Sequence, residues 1–528
     1  GSSSPPRPRR SAAPCPAPVR RVGGCRSLLD AAATATVRRR AGLRPATAHS
    51  RPVPAPPDTR PALPPAAHRR LALLLADRDR TTSSSSSSSP SGAGGGGRRG
   101  AAPNLSELLP QWLTSANEHG YAAPPALLPA LLDAARARTD LRADALALAG
   151  PRALWLAELN PDWKFALRAG ARGLAPATDD PSAVRRLWEE GLFAERVAVL
   201  THLRVREPRA ALALLRTTWA TERAEDRLMF LDSLREGLSP ADEPFLDQAL
   251  SDRSRNVRAT AAELLSALPG SALATRMAQR ARSCVSPNAA AAGEIIIEAP
   301  YECDAAMERD GIAPIPPSGR GERAWWFAQL IDATPLATWT DRLQGRTPEQ
   351  IIALPVADDW QADLHAAWCR AAVRQRDPAW ARALLGPTPA ASTRVATIGD
   401  PAKLLSILPE PERSAWVARF IASHGLAEAF QMLGVCAVPW SEPLGRSVVD
   451  ALDIARDAGS YPWSFSGVMG LAERCLHPSE ADGATPLTAA PEESADATPG
   501  AGTYWAEAFQ RLVSTLRLRA AMLAELEP

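Results

Sequence analysis

The chain has 528 residues, of which 45% are apolar, and its formal net charge is only +2. This length exceeds what one ordinary hydrophobic core requires, so the sequence predicts two or more units or one elongated array. The charge is unevenly distributed, because residues 1–100 contain 18 Arg and 4 Asp, a net charge of +14, which leaves −12 for the rest of the chain. An acidic body argues against a nucleic-acid channel. The basic head is expected to be solvated, with non-specific contact to acidic surfaces as the alternative.

The seven cysteines are scattered and form no C-x-x-C pair. This pattern excludes a disulfide framework or a zinc knuckle, which need close, paired spacing. The cysteines are therefore interpreted as reduced, mostly buried thiols of a cytoplasmic protein. No apolar run approaches the ~20 residues that span a bilayer, so no membrane association is expected.

The N-terminal part of the chain is divided by composition. Residues 1–25 start without methionine, lack periodicity and are predicted to be disordered, and their native origin is left open. Residues 26–80 are predicted to form short helices around a Pro-rich stretch. Residues 81–103 contain a serine run followed by glycines. Such a tract cannot bury enough apolar area to offset its ordering entropy, so it is predicted to be a flexible linker.

Residues 104–285 carry the clearest helical pattern. In the segment 252–269, DRSRNVRATAAELLSALP, apolar residues recur at i, i+4, i+7, i+8 and i+11 from Val257. The segment resembles one helix of a HEAT repeat, in which Asp252 would turn the chain and Arg258 would lie beside the inward-pointing Val257. In that repeat family an Arg and an Asp of successive repeats often pair. Ser239–Asp242 is predicted to be a helix-initiating capping box.

The helix pairs in this array span roughly 30–40 residues, which is the range of HEAT-like repeats. No single pair could bury its apolar stripe alone, and stacking against neighbouring pairs would bury it. The predicted fold class is therefore all-α, a HEAT-like α-solenoid of short helix pairs. The alternative is that the HEAT-like segment is an ordinary amphipathic helix in an irregular bundle.

The second half is predicted to be helical apart from one short extended segment. Glu294–Glu298 (EIIIE) is a β-branched run that predicts a strand or an extended brace. Thr347–Gln350 is a second predicted capping box. The predicted units are an irregular connector at 286–321, a second helical-repeat region at 322–477, a second linker at 478–502 and a C-terminal helix at 503–528 that folds back onto the body.

No motif of catalysis or cofactor binding occurs: the chain has no P-loop, no H-E-x-x-H and no G-x-S-x-G. No catalytic, cofactor-binding or metal-ligating residue is therefore assigned. His365 lies four residues before Cys369 on a predicted helix, a spacing that could share a metal but is unremarkable as a single pair. The carboxylates from Glu294 to Asp310 could hold a divalent cation, but a solvated loop is the favoured interpretation.

Two tryptophans and three arginines are the candidate partner-binding residues. Most tryptophans should be core anchors, but Trp440 and Trp463 each lie in a Pro-flanked loop, VPWSEP and SYPWSF. A loop tryptophan is a candidate for an exposed binding anchor. Arg253, Arg255 and Arg258 lie at the start of the HEAT-like helix and complete the set.

Several phrases together resemble an uncharacterised family of bacterial helical-repeat proteins, common in actinobacteria and cyanobacteria and filed as a domain of unknown function. The resemblance covers most of residues 26–526, and residues 1–25 are expected to be foreign to it. It implies gene neighbourhoods with a SWIM-type zinc-finger protein, an AAA ATPase and a von Willebrand factor A protein, and hence an adaptor role by association. The phrases are LLPQWL (108–113), LNPDWKFA (159–166), WEEGLFAERVAVL (188–200), DEPFLDQALSDRSRNVRATAAELLSALPGS (242–271), MERDGI (307–312), ERAWWFAQLI (322–331) and VPWSEPL (438–444).

The sequence therefore favours a non-enzymatic scaffold that binds a protein partner and needs no cofactor. The alternative is a nucleic-acid-binding protein resembling the HEAT-like DNA alkylpurine glycosylases, which need a basic groove lined with aromatic residues. A metal-dependent hydrolase at Glu294–Asp310 is the third hypothesis. The glycosylase alternative depends on whether a set of arginines converges on one face: Arg253, Arg255, Arg258, Arg276, Arg280 and Arg282.

Overall fold

The structure is a computed structural model that describes residues 24–41, 54–55, 57–85, 102–167, 181–288, 293–388, 400–490 and 501–527. Most of the predicted disordered head (residues 1–23) and most of the first predicted linker (residues 86–101) lie outside the described residues. Within the described residues the protein is all-α apart from one small sheet. None of the described helices is long and apolar enough to cross a membrane.

The main helices of the N-terminal half are short, and most of them are separated by tight turns. They are α1 Gly24–Arg40, α2 Pro65–Ser85, α3 Leu105–Glu118, α4 Leu128–Ala137, α5 Arg142–Ala149, α6 Pro151–Leu159, α7 Pro181–Glu190, α8 Phe193–Arg206, α9 Pro208–Thr218, α10 Ala224–Ser233, α11 Glu243–Ala249, α12 Arg255–Ser266 and α13 Ala272–Cys284.

The main helices of the C-terminal half continue the same pattern. They are α14 Ala305–Arg309, α15 Glu322–Asp332, α16 Ala337–Arg342, α17 Pro348–Ile352, α18 Gln361–Gln375, α19 Pro378–Leu385, α20 Pro401–Leu405, α21 Glu410–His424, α22 Leu426–Leu433, α23 Glu442–Asp457, α24 Ser466–Cys475, α25 Ala481–Ala484 and α26 Ala501–Ala524.

Strands β1 (Val285–Pro287) and β2 (Ile295–Ile297) form the small sheet. They are antiparallel, with Val285 opposite Ile297, and Ile295 also makes a parallel bridge to Val356. The strand predicted in the EIIIE segment is thus confirmed. Its alternate residues Ile295 and Ile297 are buried, which explains the apolar run.

The helix starts of residues 193–284 follow a regular spacing. Helices α8, α10 and α12 begin at Phe193, Ala224 and Arg255, so the interval between the first two starts equals that between the last two. Each packs on the next, and each is followed by a second helix, α9, α11 or α13. The HEAT-like segment therefore contains the first helix of the third of three helix pairs, and these pairs start at a constant interval.

A side-chain pattern repeats with the same spacing. Trp188 and Trp219 are separated by this repeat length, and so are Arg196 and Arg227, whose guanidinium groups lie 4.5 and 5.7 Å from the respective ring centroids. Arg227 also donates to Asp252 in the turn before α12 (Nη2 to Oδ1, 3.1 Å). Arg227 of one helix pair is thus paired with an aspartate at the start of the next helix pair.

Capping explains where several helices begin. Ser239 and Asp242 form the predicted capping box, in which the Ser239 amide donates to the Asp242 carboxylate (2.9 Å). Thr347 and Gln350 form the second predicted box. Both boxes satisfy amides that would otherwise lack intrahelical partners.

The buried apolar side chains form two clusters. The larger runs from Trp188 to Leu516, and the smaller contains residues 63–166 together with Met522 and Leu526. Helix α26 contributes to both clusters, because its residues Trp505, Phe509 and Leu512 lie in the larger cluster and its Met522 lies in the smaller one. The prediction that the C-terminal helix folds back onto the body is confirmed, and this helix joins the N-terminal helices to the rest of the described chain.

The second predicted linker, 478–502, differs from the structure in its first half. Residues 478–488 form short helical turns that pack against α26, and Ala481 and Ala484 are buried. The composition suggested a linker, but these small residues fit closely beneath the C-terminal helix. Residues 491–500 lie outside the described residues.

Candidate functional site

The arginines at the start of α12 do not act as one group. Arg253 and Arg255 are exposed. Arg258 instead donates from Nη1 to the carbonyl oxygens of Asp252 (2.8 Å) and Arg253 (3.1 Å). Arg258 therefore closes the turn before its own helix, and only the first two arginines are available to a partner.

The arginines of α13 are also largely committed within the chain. Arg276 and Arg280 both bind the carboxylate of Asp310, at 2.8 and 2.7 Å. The Asp310 side chain is 2% exposed. Burial raises the pKa of Asp310, but hydrogen bonds from the two guanidinium groups outweigh that effect, and the net pKa is lowered. Asp247 lies 3.4 Å from Arg276, so the two guanidinium groups face two carboxylates and do not contribute to an open basic face.

Trp440 is a core residue. Its side chain is 2% exposed, and its backbone amide donates to the Cys475 carbonyl oxygen (2.7 Å) at the end of α24. The expectation that Trp440 is an exposed loop anchor is wrong, because this contact draws the Pro-flanked loop onto α24 and the indole into the core. Proline on both sides of a residue predicts a turn but does not indicate which way its side chain faces.

Trp463 is exposed, and it lies in a group of three aromatic rings. Its side chain is 56% exposed, and that of Tyr461 is 46% exposed. The Trp463 ring centroid lies 5.2 Å from that of Tyr461 and 5.5 Å from that of Tyr504, the latter in an edge-on arrangement. We call these three residues the aromatic surface. Because Trp463 contacts both tyrosines, the three rings form one continuous cluster.

The surrounding helices hold the aromatic surface in place. Gly459, with φ of +68°, ends α23 and turns the chain. Tyr461 and Trp463 then lie at a 3₁₀ turn, Pro462–Phe465. The buried Trp505 indole donates to the Ser460 carbonyl oxygen (2.8 Å), which fixes this turn to α26, the helix that carries Tyr504.

The charge beside the aromatic surface is acidic. From residue 447 to residue 470 the chain has three acidic residues, Asp450, Asp453 and Asp457, and one basic residue, Arg456. Arg456 is paired with Asp453 (2.7 Å) and Asp457 (3.1 Å). Asp457 remains 63% exposed. Glu507, one helical turn after Tyr504, is also exposed.

The candidate metal ligands do not assemble into a site within the described residues. His365 stacks on Trp368 (5.7 Å between centroids), and burial raises the pKa of the neighbouring Cys369 thiol to about 12. A metal needs the thiolate, so this cysteine is a poor ligand. In the acidic segment, Asp304 caps α14 and Asp310 binds the two arginines. The described residues contain no group of three or more His, Cys, Asp or Glu side chains that could hold a metal ion.

The fold is thus that of an all-α protein made of short packed helices, with an exposed aromatic surface near its C-terminal end. The chain belongs to the family of unknown function DUF5691, whose model matches residues 3–526. The match begins at residue 3, so the expectation that residues 1–25 are foreign to the family is wrong. No curated protein and no solved structure matches the chain.

The sequence indicated Trp463 but missed its two neighbours. Tyr461 is only two residues away, in SYPWSF, and an aromatic pair flanking proline could have been read as one surface. Tyr504 comes from a separate, later helix, and only the packing of α26 brings it to Trp463. No local pattern in the sequence predicts that contact.

Proposed function

We propose that the chain is a non-enzymatic helical-repeat scaffold or adaptor that binds a protein partner in a bacterial, cytoplasmic multi-protein assembly. The observation that carries this proposal is the aromatic surface of Tyr461, Trp463 and Tyr504. Large aromatic side chains dominate the energetics of protein interfaces because they bury a large area with few rotatable bonds. Leaving two such rings half exposed costs solubility, and this cost is offset if a partner covers them.

The frame beneath the aromatic surface supports the same proposal. The aromatic surface is fixed by α23, α24 and α26, so little conformational entropy is lost when a partner docks. The evenly spaced helix pairs of α8–α13 bury their apolar stripes on neighbouring pairs, as repeat proteins do. We propose a HEAT-like solenoid for this part, which would present an extended surface to further partners.

The family resemblance suggests the kind of assembly. It implies an AAA ATPase and a von Willebrand factor A protein as partners, and we propose these two classes as the first candidates. Nucleic acid is not proposed as a ligand of the acidic body. Among the arginines on which that alternative depends, Arg258 closes a turn and both Arg276 and Arg280 bind Asp310.

Affinity purification from a native host lysate tests the proposal. The full chain would be tagged and purified with and without nuclease at two salt concentrations, and bound proteins would be identified by mass spectrometry. The same experiment is run with Trp463→Ala and with Tyr301→Ala. Tyr301 is a matched control because it is an 82% exposed aromatic residue elsewhere on the chain.

The two hypotheses predict different results. Stoichiometric, nuclease-insensitive recovery of one protein, lost with Trp463→Ala and kept with Tyr301→Ala, is the expected outcome. Recovery of nucleic acid alone, falling steeply with salt, would overturn the scaffold proposal, because that dependence is characteristic of phosphate contacts.

A further inference from the structure

Arginine covers several aromatic rings of this protein. Guanidinium groups lie over Trp188 (Arg196, 4.5 Å) and Trp219 (Arg227, 5.7 Å). The same contact occurs at the exposed ring of Tyr301, where Arg323 lies 4.2 Å from the centroid, and at the half-buried ring of Trp325, where Arg320 lies 5.6 Å from the centroid. Such contacts are favourable because the face of an aromatic ring is electron-rich and attracts a cation.

Within the described part of the chain, Trp463 and Tyr461 have no such cover. Among the described residues no Arg or Lys lies over either ring, although both are about half exposed. The nearest basic residue along the chain, Arg456, is directed elsewhere. It lies 6.0 Å from the Phe509 centroid and pairs with two aspartates. The rings of Trp463 and Tyr461 therefore offer an electron-rich face that no Arg or Lys of the described chain covers.

The charges beside this face favour a cation. Asp457 ends α23 four residues before Tyr461 and is 63% exposed. Glu507 follows Tyr504 by three residues on α26, which places it on the same side of that helix. Both carboxylates belong to the helices that hold the aromatic surface, α23 and α26, so their negative charge would increase the local concentration of a cation there.

We propose that the aromatic surface binds an arginine-bearing segment of a protein partner, with the guanidinium stacked on Trp463 and directed toward Asp457. Arginine fits better than lysine because its planar group stacks on a ring and donates in a fork to a carboxylate. This inference rests on the proposed scaffold function and names the chemistry of the partner. The partner supplies the cation that the chain itself supplies at Trp188, Trp219, Trp325 and Tyr301.

Fluorine NMR of the full chain, labelled with 5-fluorotryptophan, tests the proposal. The Trp463 signal is assigned by its absence in Trp463→Phe. The probes are three capped hexapeptides in which alanine alternates with arginine, with citrulline or with glutamate. Citrulline keeps the planar shape of arginine but has no charge, so it separates the cation from the stacking area.

The Trp463 signal should shift with the arginine peptide and saturate. Affinity for the arginine peptide should be about five-fold higher than for the citrulline peptide, which corresponds to about 1 kcal/mol. Asp457→Asn should weaken the arginine peptide about two-fold, and added salt should do the same. Equal shifts with all three peptides, or no shift at Trp463, would overturn the proposal.

The titration and the purification test the cation site and the scaffold function separately, so either proposal can be contradicted alone. A partner that is recovered equally well with Trp463→Ala leaves the scaffold function standing and removes this surface from it. A Trp463 signal that responds to the arginine peptide, in a chain that recovers no protein partner, supports the cation site and overturns the scaffold function. In Trp463→Ala, unchanged fluorine signals of the other tryptophans verify that the fold is intact.

Discussion

Arg70 and Glu525, which are 455 residues apart in the sequence, form a two-pronged ion pair (Nε to Oε2, 2.9 Å; Nη2 to Oε1, 2.7 Å). Arg70 lies on α2 and Glu525 directly follows α26. Next to this pair, the Tyr121 hydroxyl donates to the Leu526 carbonyl oxygen (2.9 Å). The first helices of the smaller core are thus fastened to the last helix of the chain, a closure that an open array of stacked repeats does not predict.

Reversing the charges of this pair tests the closure. Arg70→Glu should destabilise the contact by about 1–2 kcal/mol, because it places two partly buried carboxylates together. Glu525→Arg in the same chain should restore most of the loss. Hydrogen exchange of α2 and α26 measures the effect, and faster exchange in the single variant should be slowed again in the double variant. Failure of the double variant to recover would show that the pair does not hold the ends together.

A second ion pair is fully enclosed. The Arg204 side chain is 0% exposed and that of Asp242 is 2% exposed. Arg204 donates to both Asp242 oxygens (2.8 and 3.0 Å) and to the carbonyl oxygens of Glu236 (2.9 Å) and Gly237 (2.9 Å). It therefore ties α8 to the turn that precedes α11.

Removing Arg204 should be far more costly than removing its repeat equivalent. Arg204→Met leaves the Asp242 charge buried without its partner and should lower the free energy of unfolding by about 3–5 kcal/mol. Arg235 occupies the corresponding position of the next helix pair, with a side chain that is 46% exposed. Arg235→Met should cost less than about 1 kcal/mol because exposed pairs are screened. Denaturant unfolding of both variants compares them directly, and equal losses would contradict the structural assignment.

Asp310 should make the protein sensitive to acid. Burial raises the pKa of Asp310, but the hydrogen bonds from Arg276 and Arg280 lower it by more. The pKa in the folded state therefore lies below the ordinary value of about 4. A lowered carboxyl pKa adds stability above the unfolded value, and this stability is lost as the pH falls through the folded value.

The pH dependence of Asp310→Asn checks this sign. At neutral pH the variant should be less stable by about 2 kcal/mol, since two charge-assisted hydrogen bonds are weakened. The gap to the wild type should narrow as the pH falls below about 4. Unfolding midpoints measured from neutral pH to about pH 3 give the comparison, and a gap that widens on acidification would contradict the assignment.

Local features of the fold were predictable from the sequence, and contacts between distant segments were not. The apolar spacing after Val257 predicts α12, and the side chains of Ser239 and Thr347 mark two helix starts. The sequence also shows that Trp188 and Trp219 are separated by the same interval as the helix starts. These signals depend on neighbours within a turn or two of the same helix.

The candidate site was predictable only in part. Trp463 and Trp440 occur in similar Pro-flanked phrases and were both candidates for an exposed anchor, but only Trp463 of the two is exposed. The difference arises from the contact of the Trp440 backbone with Cys475, and the partner of Trp463, Tyr504, comes from another helix. Both facts depend on how α24 and α26 pack, which no local pattern records.

Substitution of the buried Trp440 should therefore mainly reduce stability, whereas substitution of the exposed Trp463 should mainly reduce partner binding. Trp440→Ala removes a buried indole and should lower the free energy of unfolding by about 3–5 kcal/mol. Trp440→Phe should cost less than half as much, because the indole N–H has no hydrogen-bond partner among the described residues and its removal relieves that deficit. Trp463→Ala removes a half-exposed side chain with ring contacts to Tyr461 and Tyr504 and should cost about 1 kcal/mol or less.

Partner recovery should depend on Trp463 and not on Trp440, when it is measured at a temperature where all variants remain folded. Trp440→Phe keeps the aromatic surface and should recover the partner as the wild type does, whereas Trp463→Ala should lose it. Thermal unfolding and affinity purification of the same preparations provide both measurements. If Trp440→Phe lost the partner while Trp463→Ala retained it, binding would depend on the loop that Trp440 anchors, and the aromatic surface would not be the contact.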